Sequence, residues 1–182
     1  TYSFSSGSAD IFLLKFSASG KLLCQKVYGD LECDEAYGIT TDPDGNVYVV
    51  GETFERGKEE ELLLLKYDPS GKLLYTRKWG GEKKDYAWKV KIDKEKNIYV
   101  AGTTFSYGRG GDLLLLKFSL DGELISSLCW GGTACEEATA TAIDPAGNIY
   151  LTGWSYSNKE EKPAVFFLKL SPEGELLVQN LW

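Results

Sequence analysis

The chain has 182 residues, of which 43% are hydrophobic, and this is enough to build a sizeable core. Its net charge of −7 argues against nucleic acid and anionic membrane surfaces as partners, because both select basic patches. No apolar run reaches the length of a membrane span, and the absence of histidine excludes Ser-His and Cys-His nucleophiles and imidazole bases.

The N-terminal residues have no signal-peptide pattern, and the chain contains no methionine, including at position 1. Since translation starts with methionine, we expect a processed product or a piece of a longer protein.

The first clear pattern is a short apolar run that ends within a few residues at a glycine turn. Residues 10–15 read Asp-Ile-Phe-Leu-Leu-Lys, the turn follows at residues 17–20, and the next run ends on Tyr28. Short apolar runs bounded by glycine turns are typical of strands covered on both faces. Residues 1–30 are therefore predicted to form half of a repeating unit, with two strands that we label C and D.

A longer unit follows and recurs. It adds a strand A, which starts near an acidic residue and Ala36, and a strand B, which reads Asn-Val-Tyr-Val-Val-Gly at residues 46–51. Strand B returns at residues 97–102 and 148–153, at a constant offset of 51 residues, and strands C and D return with it. The predicted units are residues 31–81, 82–132 and 133–182.

Repeated units of four short antiparallel strands, without a helical segment, indicate the blades of an all-β propeller. The fully apolar C strands at residues 62–65 and 113–116 favour this fold, because blades stacked radially cover both faces of each sheet. Propellers generally close with about four to eight blades. With three and a half repeats present, we expect further blades or other chains to complete the ring.

One pattern is found throughout the chain: Gly-Gly, Asp-x-Ala, Asp-x-x-Gly-Asn-x-Tyr-Val-x-Gly, Asp-x-Leu-Leu-Leu-Lys and Gly-x-Leu. This pattern resembles the SBBP beta-propeller repeat of secreted and surface proteins. It implies an extracellular or cell-surface location, and by analogy with related propellers it places strand A innermost. The family largely lacks an assigned biochemical function, so the resemblance implies no activity and no cofactor.

In an antiparallel meander successive turns fall on alternate rims, so the B–C and D–A loops share one rim. This variable rim carries the length differences between repeats, and loops that vary on a rigid scaffold are common binding sites. Candidate residues for a glycan or peptide site there are Arg56, Tyr107, Arg109, Trp154 and Tyr156, among the glutamates Glu55, Glu59, Glu60, Glu160 and Glu161. Packing between blades is the favoured alternative, because Tyr156 is repeat-equivalent to Phe54 and Phe105.

Two lysines interrupt the repeat on strand A of the third unit. Lys89 and Lys91 stand where the other repeats have glycine, threonine or alanine. They could bind a carboxylate or phosphate in the central channel, but reaching solvent or pairing with acidic side chains is the favoured interpretation.

The aspartates of the A–B turns also have two interpretations. Asp42-x-Asp44-x-Asn46 begins like a calcium loop, yet position 53 is threonine where such a loop needs a bidentate glutamate. Hydrogen bonding to the turn backbone is therefore the favoured role, and no metal site is predicted. The tryptophans that recur at one position are interpreted as core residues: Trp79, Trp130 and Trp182.

The four cysteines form two repeat-related pairs. We predict local disulfides Cys129–Cys135 and Cys24–Cys33, each joining strand D to the loop that follows it. Such bridges require an oxidising extracytoplasmic setting or the interior of a hyperthermophile. The alternative is four free thiols in a reduced compartment.

Together these patterns favour a non-catalytic repeat domain of a secreted or cell-surface protein, acting as a scaffold, assembly subunit or adhesion module. The alternative is a carbohydrate- or peptide-binding propeller that uses the variable rim, and a propeller enzyme is third. We expect a protein or glycan partner and no nucleic acid.

Overall fold

A computed structural model of the chain describes residues 8–29, 31–156 and 162–182. These residues form fourteen β-strands and no helix, which confirms the all-β prediction. None of them therefore forms a helix that could span a membrane. Residues 1–7 and 30 of the predicted half unit lie outside the described residues, as do Glu160 and Glu161 of the variable rim.

The strands form one two-stranded sheet followed by three four-stranded antiparallel sheets. The first sheet pairs β1 (Ile11–Phe16) with β2 (Leu22–Tyr28). The second contains β3 (Asp34–Thr41), β4 (Val47–Thr53), β5 (Glu61–Tyr67) and β6 (Leu73–Trp79). The third contains β7 (Asp85–Ile92), β8 (Ile98–Thr104), β9 (Asp112–Phe118) and β10 (Leu124–Trp130). The fourth contains β11 (Glu136–Ile143), β12 (Ile149–Ser155), β13 (Ala164–Leu170) and β14 (Leu176–Leu181). Each four-stranded sheet is a meander in the predicted order A, B, C, D.

The A–B turns are held by the carboxylate of their first aspartate. Asp42 accepts hydrogen bonds from the backbone and side-chain nitrogens of Asn46, at 2.9 and 2.8 Å, and from the Tyr48 hydroxyl at 3.0 Å. Asp144 accepts the same three bonds from Asn148 and Tyr150. Burial raises the pKa of Asp42, but these hydrogen bonds outweigh it and the net shift is downward. The turn aspartates thus act as the sequence predicted, as acceptors for the turn.

Strand A bulges opposite the glycine that ends the repeated motif of strand B in the three complete units. A Cβ atom at Gly51, Gly102 or Gly153 would lie 1.8 Å from a backbone carbonyl oxygen of the neighbouring strand A. No side chain fits at that distance, so the bulge explains why this position is glycine in every unit.

Successive sheets pack face to face. We call the face that meets the following sheet along the chain the forward face, and the opposite one the backward face. Between the second and third sheets the buried cluster combines forward residues Tyr48, Val50, Leu62 and Leu64 with backward residues Ile98, Val100, Leu114 and Leu116. Equivalent residues join the third and fourth sheets, and Ile11 and Leu13 of the first sheet cover part of the second.

Strands β3, β7 and β11 contact one another in sequence order, which places strand A innermost as expected. No buried cluster of the described residues joins the first sheet to the fourth. The described part of the chain is therefore an incomplete propeller. The backward face of the first sheet and the forward face of the fourth are its two free ends.

Candidate functional site

A groove of about 370 Å³ opens on the variable rim between the third and fourth sheets. Its walls are the β8–β9 loop, the β10–β11 loop and one residue of the loop before β7, Lys83. The two loops are tied together, because Gly111 N donates to Ala134 O at 3.1 Å and Glu136 N donates to Gly111 O at 2.7 Å. The groove therefore has a fixed floor of paired backbone.

Two exposed cations, Lys83 and Arg109, line this rim groove. The loop that carries Arg109 is held by Asp112, which accepts hydrogen bonds from Arg109 N at 3.4 Å and Gly110 N at 3.2 Å. Neither cationic side chain forms an ion pair with another described residue, so both can bind a ligand. The groove suits an anionic or carbonyl-rich molecule.

The thiol of Cys135 also lines the rim groove. Burial, and then the nearby carboxylate of Glu137, to which Sγ donates at 3.9 Å, together raise its pKa to about 11. At physiological pH the thiol is therefore neutral and a poor nucleophile, since the thiolate is the reactive form.

The five residues predicted for the variable rim do not meet in one site. Arg56 is exposed on the β4–β5 loop of the second sheet. The ring of Tyr107 packs on Trp79 with 5.0 Å between centroids, and its hydroxyl donates to Gly80 O at 3.2 Å. Tyr156 follows β12, where its backbone nitrogen donates to Cys135 O at 2.9 Å. Of the five residues, Arg109 alone lines the rim groove.

The predicted position of Trp154 is wrong. It was placed on a loop of the variable rim, but it lies within β12, opposite Glu137 and Val165. Strand β12 continues two residues beyond Gly153, so the side chain joins the forward face of the fourth sheet, where it is exposed.

Lys89 and Lys91 lie on the inner strand β7, opposite Ala101 and Tyr99. Lys89 is half-buried and Lys91 is exposed. Neither forms an ion pair with another described residue, so the expected pairing with acidic side chains does not occur there. Their role in binding an anion stays a prediction.

All four cysteines are free thiols, so the predicted disulfides Cys129–Cys135 and Cys24–Cys33 are not formed. Cys129 lies opposite Leu114 on the outer strand β10, where it is exposed, whereas Cys135 lines the rim groove. The thiol of Cys24 donates to Ser70 O of the next sheet at 3.7 Å, and that of Cys33 donates to Glu35 Oε1 at 3.6 Å. The members of each pair are close in sequence, but they point to different neighbours.

Ion pairs engage two of the predicted rim glutamates. Glu55 pairs with Lys58 at 2.7 Å and with Lys78, and Glu60 pairs with Lys84 at 3.0 Å. Hydrogen bonds from Lys58 and then Lys78 lower the pKa of Glu55 to about 2. The pairs connect the β4–β5 loop to β6 through Lys78 and to the β6–β7 loop through Lys84.

Two features were missed from the sequence. The first is Lys83 of the rim groove. The sequence indicated it only weakly, because it stands beside Lys84 in a loop of the variable rim. The second feature is a polar cluster in which the Tyr37 hydroxyl lies 2.7 Å from Glu35 Oε2 and 2.9 Å from Glu52 Oε1. The register that sets these glutamates opposite each other in β3 and β4 could not be read from spacing. Burial of Glu52 raises the pKa of its carboxyl.

Solved structures share the fold at low identity. A Synechocystis apocarotenoid oxygenase superposes with a TM-score of 0.53 at 10% identity, over 92% of this chain and 44% of that chain. A cobalt-substituted form of the same oxygenase gives a TM-score of 0.55 at 11% identity, with the same coverage. A eukaryotic initiation factor gives 0.52 at 10% identity, over 96% of this chain and 43% of that chain. This chain thus spans less than half the length of these structures, and the likeness concerns the fold alone.

No curated protein matches the chain. A family model described as the SBBP beta-propeller repeat matches residues 33–53, which cover strands β3 and β4 and the turn between them. Because the same strand pair recurs as β7–β8 and β11–β12, with the same turn aspartate and the same glycine at the bulge, the match describes the repeating unit. The chain therefore carries an SBBP-type beta-propeller repeat, as the resemblance in its sequence indicated.

Proposed function

We propose that the chain is a non-catalytic propeller module of a secreted or cell-surface protein, and that it acts as a scaffold and assembly unit by binding further blades. The observation that carries this proposal is the forward face of the fourth sheet. That face repeats the positions that are buried between the other sheets, but here they are open to solvent.

Equivalent positions on the three forward faces differ in exposure. Leu62 and Leu113 on the forward faces of the second and third sheets are 0% exposed, whereas the equivalent Val165 is 38% exposed. Trp79 and Trp130 pack against the buried clusters, whereas the equivalent Trp182 is 70% exposed. Trp154 adds to the same open face.

An uncovered apolar face of this kind favours a partner, because removing apolar surface from water is the main favourable term in association. The partner that fits is a sheet with an open backward face, and a second copy of the chain presents one on its first sheet, where Phe12 and Phe16 are exposed. The buried contacts between the second and third sheets and between the third and fourth sheets each join a forward face to a backward face.

Two further observations support the structural role. The residues that recur in every repeat form the buried clusters, the A–B turns and the bulges. The SBBP-type match at residues 33–53 supports a secreted or surface location, since the family is typical of such proteins.

Sedimentation equilibrium of the purified chain tests the proposal. We expect concentration-dependent association that is lost when Val165→Asp and Trp182→Ser are combined, because a charge on the open face opposes stacking. Leu74→Asp on the outer strand β6 is the matched control and should leave association unchanged. If the wild-type chain sediments as a monomer throughout, or if both variants behave alike, the proposal is refuted.

A second candidate function is carbohydrate or peptide binding, which the rim groove with Lys83 and Arg109 favours. Retention of the chain on a glycan or peptide array should be lost in the double variant Lys83→Ser and Arg109→Ser. Arg56→Ser, which removes an exposed arginine from another loop of the same rim, should keep it. Equal retention of both variants would exclude the groove as the site.

A further inference from the structure

The first sheet lacks the two inner strands that the other three sheets have. In the complete sheets strand C pairs along one edge with strand B, as in β4–β5, β8–β9 and β12–β13. Strand β1 occupies the position of strand C, and within the described residues it pairs only with β2. No strand of the described residues pairs with its other edge, so that edge offers backbone hydrogen-bonding groups to a further strand.

A groove follows this edge for the whole length of β1. One part, of about 430 Å³, is lined by Leu13, Lys15 and Phe16 of β1 and by Ile39, Thr41 and Val47 of the second sheet. Another part, of about 320 Å³, is lined by residues 9–12 and 34–36. We call the two parts together the edge groove. It has the length of a strand, and one wall is the free edge of a sheet.

The backward face of the second sheet has an apolar residue that is exposed, whereas its equivalent in the third sheet is buried. Ile39 of β3 is 61% exposed, whereas its equivalent Val90 of β7 is 4% exposed. Val90 is covered by the cluster that contains Tyr48 and Val50 of the preceding strand B. Ile39 has no such cover because the first sheet has no strand B.

Lys15 identifies the chemistry of the occupant. Its Nζ donates to Pro69 O of the next sheet at 2.8 Å, as Lys66 Nζ donates to Leu120 O and Lys117 Nζ donates to Pro172 O. Lys66 and Lys117 also lie over the ring of the tyrosine opposite them on strand B, 5.3 Å from its centroid. Lys15 is already in this position, but the tyrosine has to come from a docked strand.

We propose that the edge groove binds a β-hairpin with the chain's own A–B pattern, presented as a separate polypeptide segment. Its strand B would extend the first sheet by pairing with β1, and its tyrosine would lie over Lys15. Its apolar residues would cover Ile39 and Val47, and its glycine would accommodate the bulge of its strand A. This inference rests on the proposed function, because it extends the same stacking of blades, but it concerns the opposite end of the molecule.

A synthetic peptide of residues 85–104 is the probe. It contains strands A and B of the third sheet, and its four lysines favour solubility. We expect saturable one-to-one binding to the intact chain by calorimetry, at peptide concentrations of up to about 1 mM. Hydrogen exchange of the β1 amides should slow on binding, while exchange in β13 should be unchanged.

Variants on both molecules make the test specific. Ile39→Asp should weaken binding at least about tenfold, because a carboxylate would be buried without a partner. Ile125→Asp, at an exposed position on β10, should have no effect. Lys15→Ala and a peptide with Tyr99→Ala should each weaken binding about two- to tenfold. The two changes together should cost little more than either alone, because they remove one contact.

Three results would overturn the proposal. They are no binding of the peptide, binding that Ile39→Asp leaves unchanged, and self-association of the chain that excludes the peptide from the groove. The last result would make a second copy the occupant. Since the open forward face of the fourth sheet is untouched in every variant, failure of peptide binding is distinguishable from failure of the proposed assembly in sedimentation.

Discussion

At the scale of single residues, the A–B turn of the third sheet is strained where the other two are not. Lys96 has a φ of 67°, and its equivalents in the other turns are Gly45 at 83° and Gly147 at 86°. A side chain in this left-handed region costs about 1–2 kcal/mol. The ion pair between Lys96 and Asp44, at 2.9 Å, is too exposed to offset much of that cost.

We therefore expect Lys96→Gly to raise the free energy of unfolding by about 0.5 kcal/mol, since relief of strain exceeds the entropy that glycine adds to the unfolded chain. Urea denaturation measures the change. Lys94→Gly is the matched control in the same turn, and it should lower stability, because no left-handed strain is relieved there. A loss of stability in both variants would contradict the argument.

Cys135 leads to a prediction about reactivity. With a pKa of about 11, only about a thousandth of this thiol is ionised at pH 8, so iodoacetamide should modify it slowly in the native protein. The pKa is raised, so the thiolate fraction should grow as pH increases, and the rate should continue to rise until about pH 11. Mass spectrometry after timed alkylation gives the rate at this site.

Glu137→Gln should increase the alkylation rate of Cys135, because it removes the carboxylate that disfavours the thiolate. Glu123→Gln, on a turn at the other rim, is the control and should change nothing. In denaturant without reductant all four cysteines should react, since all are free. Fewer than four reactive thiols would restore the disulfide prediction.

At the scale of elements, the bulge in strand A requires the glycine opposite it in strand B. A Cβ at Gly102 would lie 1.8 Å from Tyr86 O, so Gly102→Ala must push β7 away from β8. Both strands belong to the central sheet and contribute Val90, Ile98 and Val100 to its buried cluster. We expect a loss of about 3 kcal/mol in the free energy of unfolding, at the upper end for overpacking.

Gly57→Ala provides the comparison for this measurement by urea denaturation. Gly57 has a positive φ, 88°, which Gly102 does not have, but a Cβ at Gly57 would meet no atom within 4 Å. This variant should lose only the left-handed cost of about 1 kcal/mol. Equal losses in the two variants would mean that the close approach at the bulge adds no cost, and would contradict this explanation of the glycine of strand B.

At the scale of the whole molecule, the sheets differ in how much of each is covered. The third sheet is buried on both faces, and strands β8 and β9 carry its most buried residues. The first sheet has two strands, a free edge and a backward face on which Phe12 and Phe16 are exposed. Stability in repeat proteins follows such nearest-neighbour contacts.

Native-state hydrogen exchange should therefore be slowest in β8 and β9 and fastest in β1 and β2. The fourth sheet, covered on one face only, should be intermediate. Uniform protection across the four sheets would mean that the molecule opens only as a whole, and that the free ends do not weaken their sheets.

Much of the fold could be predicted from the sequence, because the evidence for it is local and repeated. The 51-residue offset, the apolar runs and the turn residues indicate strand order and antiparallel pairing without any knowledge of distant contacts. The role of Asp42 and the recurrence of glycine at position 102 follow from chemistry within a single hairpin. Period and turn chemistry alone therefore determined an all-β meander of propeller blades.

The tertiary structure decided which residues share a surface. Sequence spacing placed Trp154 on the variable rim and paired Cys129 with Cys135. In the structure Trp154 lies within β12, and Cys129 lies on β10 while Cys135 lies on the loop that lines the rim groove. Lys83, Arg109 and Cys135 meet only because two sheets stack and bring their loops together. The edge groove and the open face around Trp182 likewise could not be predicted from the sequence. Whether a residue is exposed depends on which sheets pack against its own sheet, and the residues of one repeat do not determine that.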